Sequence, residues 1–221
     1  MIVERALTDL ALERQLFHSE SDFQHALAWQ IHKMFPQASI RLEYKPFPDE
    51  RMYVDIWSKD LSLVLELKYH TRGLSVDIAG EYYQLEDQAA QDITRYDFCK
   101  DIMRLEKIVQ AFPQFTGYAL MLTNDSAFWK PSLRNNPVDE AFRLHEGRVL
   151  ASELKWSQRA GSGTTAGRSE PLSLRGSYAL HWNEFSNLDV YGYNRFRYLL
   201  VEIKINPKVV NQQTDNVRNS I

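Results

Sequence analysis

Residues 61–68 read Leu-Ser-Leu-Val-Leu-Glu-Leu-Lys, with leucine at every odd position. Strict alternation of this kind marks a β-strand with one face in a core, because successive side chains leave a strand on opposite sides. Leu61, Leu63, Leu65 and Leu67 are expected on the apolar face, and Ser62, Val64, Glu66 and Lys68 on the other. An apolar strand thus ends with a carboxylate and an ammonium side by side. The segment before it, 51–58, puts Met52, Val54 and Ile56 on one face and Tyr53, Asp55 and Trp57 on the opposite one. A two-residue turn at Lys59-Asp60 pairs Ser58 with Leu61 and sets Val64 against Asp55. The apolar faces then coincide, and Asp55, Glu66 and Lys68 share the second face. In that register Asp55 and Glu66 are diagonal neighbours, with Cα atoms about 7–8 Å apart. A three-residue turn breaks the parity unless a bulge restores it.

The flanking sequence supplies the rest of an α/β unit. Residues 19–35 predict a helix, with Ser19 as N-cap, Glu20 and Asp22 in the first turn, and Phe23, Leu27, Ile31 and Met34 at helical spacing. Pro36 ends it. Strands are expected at 39–47, 51–58, 61–69, 117–125 and 195–205, the last a candidate neighbour of 117–123. Residues 82–112 carry a helical pattern, as one helix or two pieces, with an apolar stripe at Phe98, Ile102, Leu105 and Val109. The order is α-β-β-β-α-β. Residues 126–190 read mainly as loop with one short helix, and the Gly/Ser/Thr-rich stretch 157–171 as a flexible loop. The polar tail from Asn206 is expected to be loose. One domain over 1–221 is expected, with core 19–125 plus 195–205, an extension over 126–190 and a tail over 206–221.

Composition narrows the class without choosing the activity. Hydrophobic residues are 44% and charged residues 25%, an ordinary globular balance. The net charge of −3 excludes a simple polycation that coats nucleic acid but leaves room for a local basic patch. A single cysteine, Cys99, excludes an internal disulfide framework and fits a reducing compartment. The first fifteen residues carry charges throughout and no apolar signal region, and the apolar runs are short. A cytoplasmic location is the expectation.

Two acids and an amine on one face make chemical sense around a hard cation. Adjacent carboxylates repel, and a bound Mg²⁺ relieves the repulsion. Mg²⁺ takes one or two carboxylates and keeps several waters, which leaves room for phosphate oxygens. Such an ion lowers the pKa of bound water and neutralises charge on a phosphodiester under attack. Lys68 then orients that water or stabilises the developing charge. Burial and neighbouring cations are expected to lower its pKa toward a role in proton transfer.

Asp55, ten intervening residues and Glu66-Leu67-Lys68, set within an α-β-β-β-α-β order, resemble the PD-(D/E)XK phosphodiesterase superfamily. The resemblance covers 19–125, with strand 195–205 a candidate addition. It implies a restriction-endonuclease-like core, a central mixed sheet flanked by helices, carrying a loop-rich or β C-terminal extension. It implies a metal-dependent nuclease, with nucleic acid, DNA first, as partner. Asp55, Glu66 and Lys68 become the catalytic set. Glu20, Asp55 and Glu66 become the ligands of Mg²⁺, for which Mn²⁺ can substitute. Glu20 takes the place of an acid from the first helix, with Gln24 one turn on also able to face the site. The proline of the family name is missing, since Val54 precedes Asp55. The Gln-x-x-x-Tyr pattern of exonuclease-type members is not reproduced either: Asp92 follows Gln88 and Arg95 follows Gln91.

Other patterns are weaker. Glu153-Leu154-Lys155 and Glu202-Ile203-Lys204 repeat the Glu-x-Lys tripeptide, the latter with Asp189 upstream, but without an aspartate on a neighbouring strand between two helices. Gln84, Gln88, Gln91 and Arg95 continue the apolar stripe toward the helix start. Gln91 and Arg95 are expected to contact nucleic acid. His18, His25 and His32 are seven apart, about 10.5 Å per step along a helix, too far to share a metal. Trp129, Lys130, Arg134 and Arg143 suit either nucleic-acid contact or an ordinary loop. Three functions remain open: the nuclease, a non-catalytic nucleic-acid- or protein-binding module on the same core, and an interaction protein working through 126–190. A homodimer or a partner protein is compatible with each.

Overall fold

The computed structural model describes residues 1–204. Expectations for the tail from Asn206 lie outside those residues. In chain order the elements are α1 (Ile2–Glu13), α2 (Glu20–Met34), β1 (Arg41–Tyr44), β2 (Val54–Ser58), β3 (Leu63–His70), β4 (Leu74–Ile78), β5 (Glu81–Leu85), α3 (Gln91–Ala111), β6 (Thr116–Thr123), β7 (Val149–Leu154), α4 (Ser162–Thr165), β8 (Leu172–Ala179), β9 (Trp182–Asn187) and β10 (Arg195–Ile203). A 3-10 turn at Glu140–Phe142 lies between β6 and β7. The expected order survives as α2-β1-β2-β3-α3-β6, with the hairpin β4–β5 inserted before α3.

Six strands form one mixed sheet in the order β1-β2-β3-β6-β10-β9. β3 and β6 run parallel, and the other neighbours are antiparallel. The parallel pair needs a crossover, and α3 supplies it. The leucines of β3 do what their alternation dictates. Leu63, Leu65 and Leu67 are buried under α1 and α2, in one cluster with Leu7, Phe23 and Leu27. Val64, on the opposite face, joins the cluster built on α3 and on the β7–β8 hairpin. Each side of the sheet is therefore covered by helix, and β10 lies against β6 as its composition suggests.

Three elements depart from the sequence expectation. The helix begins at Gln91 rather than near residue 82, because 81–85 pairs with 74–78 as a hairpin. Gln84 thus lies on a strand and Gln88 in the connection, where its side chain accepts from the Thr71 N–H at 3.1 Å. The region 126–190 holds β7, β8 and β9, with β9 forming the sheet edge beside β10. α1, not anticipated, buries Val3, Ala6, Leu7 and Leu10 beneath the sheet.

α3 sits close on the sheet because Gly117 opens β6. A Cβ at Gly117 would lie 3.2 Å from Val109 Cγ2, 3.3 Å from Leu105 Cβ and 3.4 Å from Ile203 Cβ. Gly117→Ala is expected to destabilise the protein by about 1–3 kcal/mol, the usual cost of overfilling a packed interface. Urea denaturation of the variant checks this; an unchanged midpoint would show that α3 is free to retreat.

Candidate functional site

β2 stops pairing with β3 where the charged residues begin. The ladder runs Ser58–Leu63, Trp57–Val64 and Ile56–Leu65. The turn spans residues 59–62, closed by the Ser62 N–H donating to the Lys59 carbonyl at 3.1 Å, with Ser62 at φ 49°. This corrects the two-residue turn at Lys59-Asp60. The register moves by two, keeps its parity, and carries Asp55 from the diagonal toward a place opposite Glu66. Past Ile56 the strands part. Val54 packs with the α3-side cluster and Ile56 with the other, so these two do not share one face as alternation alone predicts.

The parting leaves backbone donors on β3 without a strand partner, and side-chain acids take them. Asp55 Oδ2 accepts the Leu67 N–H at 2.6 Å, and Glu20 Oε2 accepts the Tyr69 N–H at 2.8 Å. Glu20 reaches this edge because Ser19 caps α2, its Oγ accepting the Asp22 N–H at 3.1 Å, and starts the helix beside β3. One turn on, Gln24 donates to the Asp55 carbonyl and to Glu43 Oε1, both at 2.8 Å. Both side chains of that helix face therefore meet the site.

On the α3 side lie Glu66 and Lys68, alternate residues of one strand face. Lys68 Nζ stands 2.9 Å from Asp101 Oδ2. Arg104 Nη2 stands 3.0 Å from Glu66 Oε1, and its Nη1 bonds Asp101 Oδ1 at 3.1 Å. Arg104 also donates to the Tyr53 carbonyl. Asp101 and Arg104 are members that the sequence reading missed. The available signal was a charged pair three apart on α3, interleaved with the stripe Phe98, Ile102 and Leu105.

Glu66 is 3% exposed, and neither its Oε1 nor Asp101 Oδ2 has a hydrogen bond of good geometry despite the close cations. These contacts are close approaches rather than directed bonds. Burial, reinforced by the Asp101 charge and only partly offset by Arg104, holds the Glu66 carboxyl well above the usual carboxylate range. Burial also pushes Asp55 up to about 6, with the Leu67 N–H and Lys68 pulling the other way. Burial alone would lower Lys68, but Asp101 and Glu20 outweigh it, and its pKa rises. The surroundings of Lys68 thus run against the expected lowering, since Asp101, 2.9 Å away, stabilises the ammonium.

The donor chemistry suits a hard divalent cation, since Asp55, Glu66 and Glu20 offer oxygens and Glu66 Oε1 lacks a hydrogen bond. Among the described residues, no three His, Cys, Asp or Glu side chains are drawn together as a ready-made metal cluster; Lys68 and Arg104 share the space with the acids.

Gln91 and Arg95 go elsewhere on α3. Gln91 Nε2 donates to Asp125 Oδ2 at 3.1 Å. Arg95, 3% exposed, pairs with Asp139 Oδ2 at 2.7 Å and donates to the Ala127 carbonyl at 2.8 Å. The other Glu-x-Lys tripeptides form plain pairs, Glu153–Lys155 at 3.4 Å and Glu202–Lys204 at 2.8 Å, with Glu202 also accepting from Tyr118. His18 and His25 are exposed, and Cys99 is fully buried. No helix among the described residues is long and apolar enough to cross a membrane.

A scan of protein-family models, a search of curated proteins and a search of solved structures each return no match to the chain.

Proposed function

We propose that this chain is a metal-dependent phosphodiesterase that hydrolyses nucleic acid, DNA first, on a restriction-endonuclease-like core. The observation that supports the reading is that, at the parted end of the β2–β3 hairpin, Asp55 accepts the N–H of Leu67, the residue between Glu66 and Lys68, and Glu20 accepts the next free amide of β3. A divalent ion at these acids supplies Lewis-acid activation of water and of the phosphoryl oxygens. Asp55 and Glu66 would hold it. Asp55 has one oxygen committed to the Leu67 N–H, which fixes its direction and leaves the other for the ion. Glu20 assists directly or through water.

Lys68 contributes charge rather than a transferable proton. Its ammonium is held by Asp101 and would face a non-bridging oxygen of the phosphodiester, stabilising the negative charge that grows there. Asp101 is a positioning residue for it. Arg104 bridges Glu66 and Asp101, and an ion at Glu66 would compete with it for that carboxyl.

Differential melting with Mn²⁺ tests the site without presuming a substrate. At a hundredfold excess over Kd a bound ion stabilises by about 2.7 kcal/mol, or roughly 5–10 °C for a chain of this size. That shift is expected for the wild type and absent from Asp55→Ala. Arg104→Gln, which keeps the acids and removes their internal cation, is expected to reach the same shift at lower Mn²⁺. An equal shift in Asp55→Ala, or none in the wild type, overturns the proposal.

A non-catalytic binding module on the same core takes support from the internal pairing of Lys68 with Asp101 and Arg104 with Glu66, which neutralises the cluster by itself. The absent wild-type shift is its signature.

A further inference from the structure

Away from the acidic cluster, the start of α3 and the loop 130–139 enclose an open groove of about 1260 Å³. Its lining carries six cationic side chains against three carboxylates, in a chain whose total charge is −3. Two of the three carboxylates are already engaged by groove residues, and the third, Asp92, lies in the first turn of α3 with its Oδ1 accepting the Ile93 N–H at 2.9 Å. Asp139 is taken by Arg95 and Arg143, at 2.7 and 3.1 Å, and Asp125 by Gln91 and, at 4.0 Å, Arg72. Lys130, Arg134 and Arg159 have no carboxylate partner among the described residues; Arg159 donates to the Asn136 carbonyl. Set against Asp92, the lining's carboxylate without a cationic partner among the described residues, these three leave the groove net positive. At the mouth stands Tyr193, 41% exposed, with the Arg72 guanidinium 4.6 Å from its ring centroid. A planar cation on a half-open aromatic ring is a stacking platform.

Given the phosphodiesterase reading on which this rests, we infer that the groove is a second nucleic-acid contact, taking phosphates on Lys130, Arg134 and Arg159 and a base on the Tyr193–Arg72 platform. Single-stranded substrate is the class it fits, because a base reaches a stacking platform only when it is free of its complement. The groove and the acidic cluster share α3. Gln91 lines the first and Asp101 belongs to the second, and ten residues of helix separate them by about 15 Å. At roughly 3.4 Å per nucleotide a strand needs about four to five nucleotides to reach from one to the other. Chain length thus enters recognition.

The test is fluorescence polarisation with labelled single-stranded oligonucleotides of three and twelve nucleotides, in EDTA so that no cleavage intervenes. The twelve-mer is expected to bind the wild type about tenfold more tightly than it binds the double variant Lys130→Gln/Arg134→Gln, whose salt dependence is shallower by about 1.4 in slope. Tyr193→Ala is expected to weaken twelve-mer binding without changing that slope, and the three-mer to bind the wild type more weakly than the twelve-mer does. The inference is overturned if the twelve-mer does not bind the wild type, if the double variant binds as the wild type does, or if inorganic tripolyphosphate competes as well as the twelve-mer. Binding without cleavage in Mg²⁺ sinks the phosphodiesterase reading alone; cleavage with groove variants binding unchanged sinks this one alone.

Discussion

Lys68→Ala is expected to lower the rate of phosphodiester cleavage in Mg²⁺ by about 10²–10³-fold while leaving Mn²⁺ binding in place, the usual loss when one preorganised charge at a reacting oxygen is removed. Asp55→Ala should lose both. The distinction follows from the site: Asp55 supplies an oxygen beside the Leu67 N–H, whereas Lys68 faces Asp101 across the strand face. Removing one partner of a buried pair can itself cost about 3–5 kcal/mol. A second variant, Lys68→Met/Asp101→Asn, removes both charges and keeps the volume. Cleavage of single- and double-stranded DNA and RNA by purified wild type and both variants decides the matter. Equal activity in all three would mean that Lys68 does no chemistry.

The second large effect concerns pH. Asp55 and Glu66 keep protons in the folded protein that the unfolded chain releases near pH 4, because burial disfavours their charged forms. Between that ordinary value and their folded pKa the native state binds more protons than the unfolded one. Stability is then fully present below about pH 4 and lost as pH rises through about 6 for Asp55, and higher still for Glu66. Asp55 alone accounts for about 2 kcal/mol at 1.36 kcal/mol per pH unit, after allowance for its partial exposure. In EDTA the melting temperature should therefore fall from pH 5 to 8.5. In Glu66→Gln, which cannot ionise at that position, it should fall less. Saturating Mn²⁺ should remove the decline, because the ion replaces those protons. A flat profile in EDTA, or one that rises, contradicts the burial argument.

The sequence disclosed the central hairpin and the face that carries the acids, because period-two alternation in Leu63, Leu65 and Leu67 is a strong signal that only one parity satisfies. It did not disclose the register. Parity is set by hydrophobicity, but a shift of two preserves every face, and the choice fell to a turn with Ser62 in the left-handed region, which no residue there advertises. Residues 82–85 misled for a related reason. Gln84, Gln88, Gln91 and Arg95 fall at helical spacing, and pairing of Tyr83 with Val76 and of Leu85 with Leu74 in space decided for the strand. Asp101 and Arg104 stayed hidden because charged residues on an amphipathic helix ordinarily point to water. Only the parted end of β3 gives them something to face.

The two acids that close the flank of β3 also guard it. An exposed run of backbone donors is an adhesive surface toward other chains, and at Leu67 and Tyr69 the adhesive is covered by Asp55 and Glu20 rather than by another strand. Truncating either acid to silence the chemistry also strips that cover, so inactive alanine variants invite self-association in storage or at high concentration. Amide isosteres, which retain an oxygen to accept the backbone proton, separate the two consequences and make the safer inactive reagents.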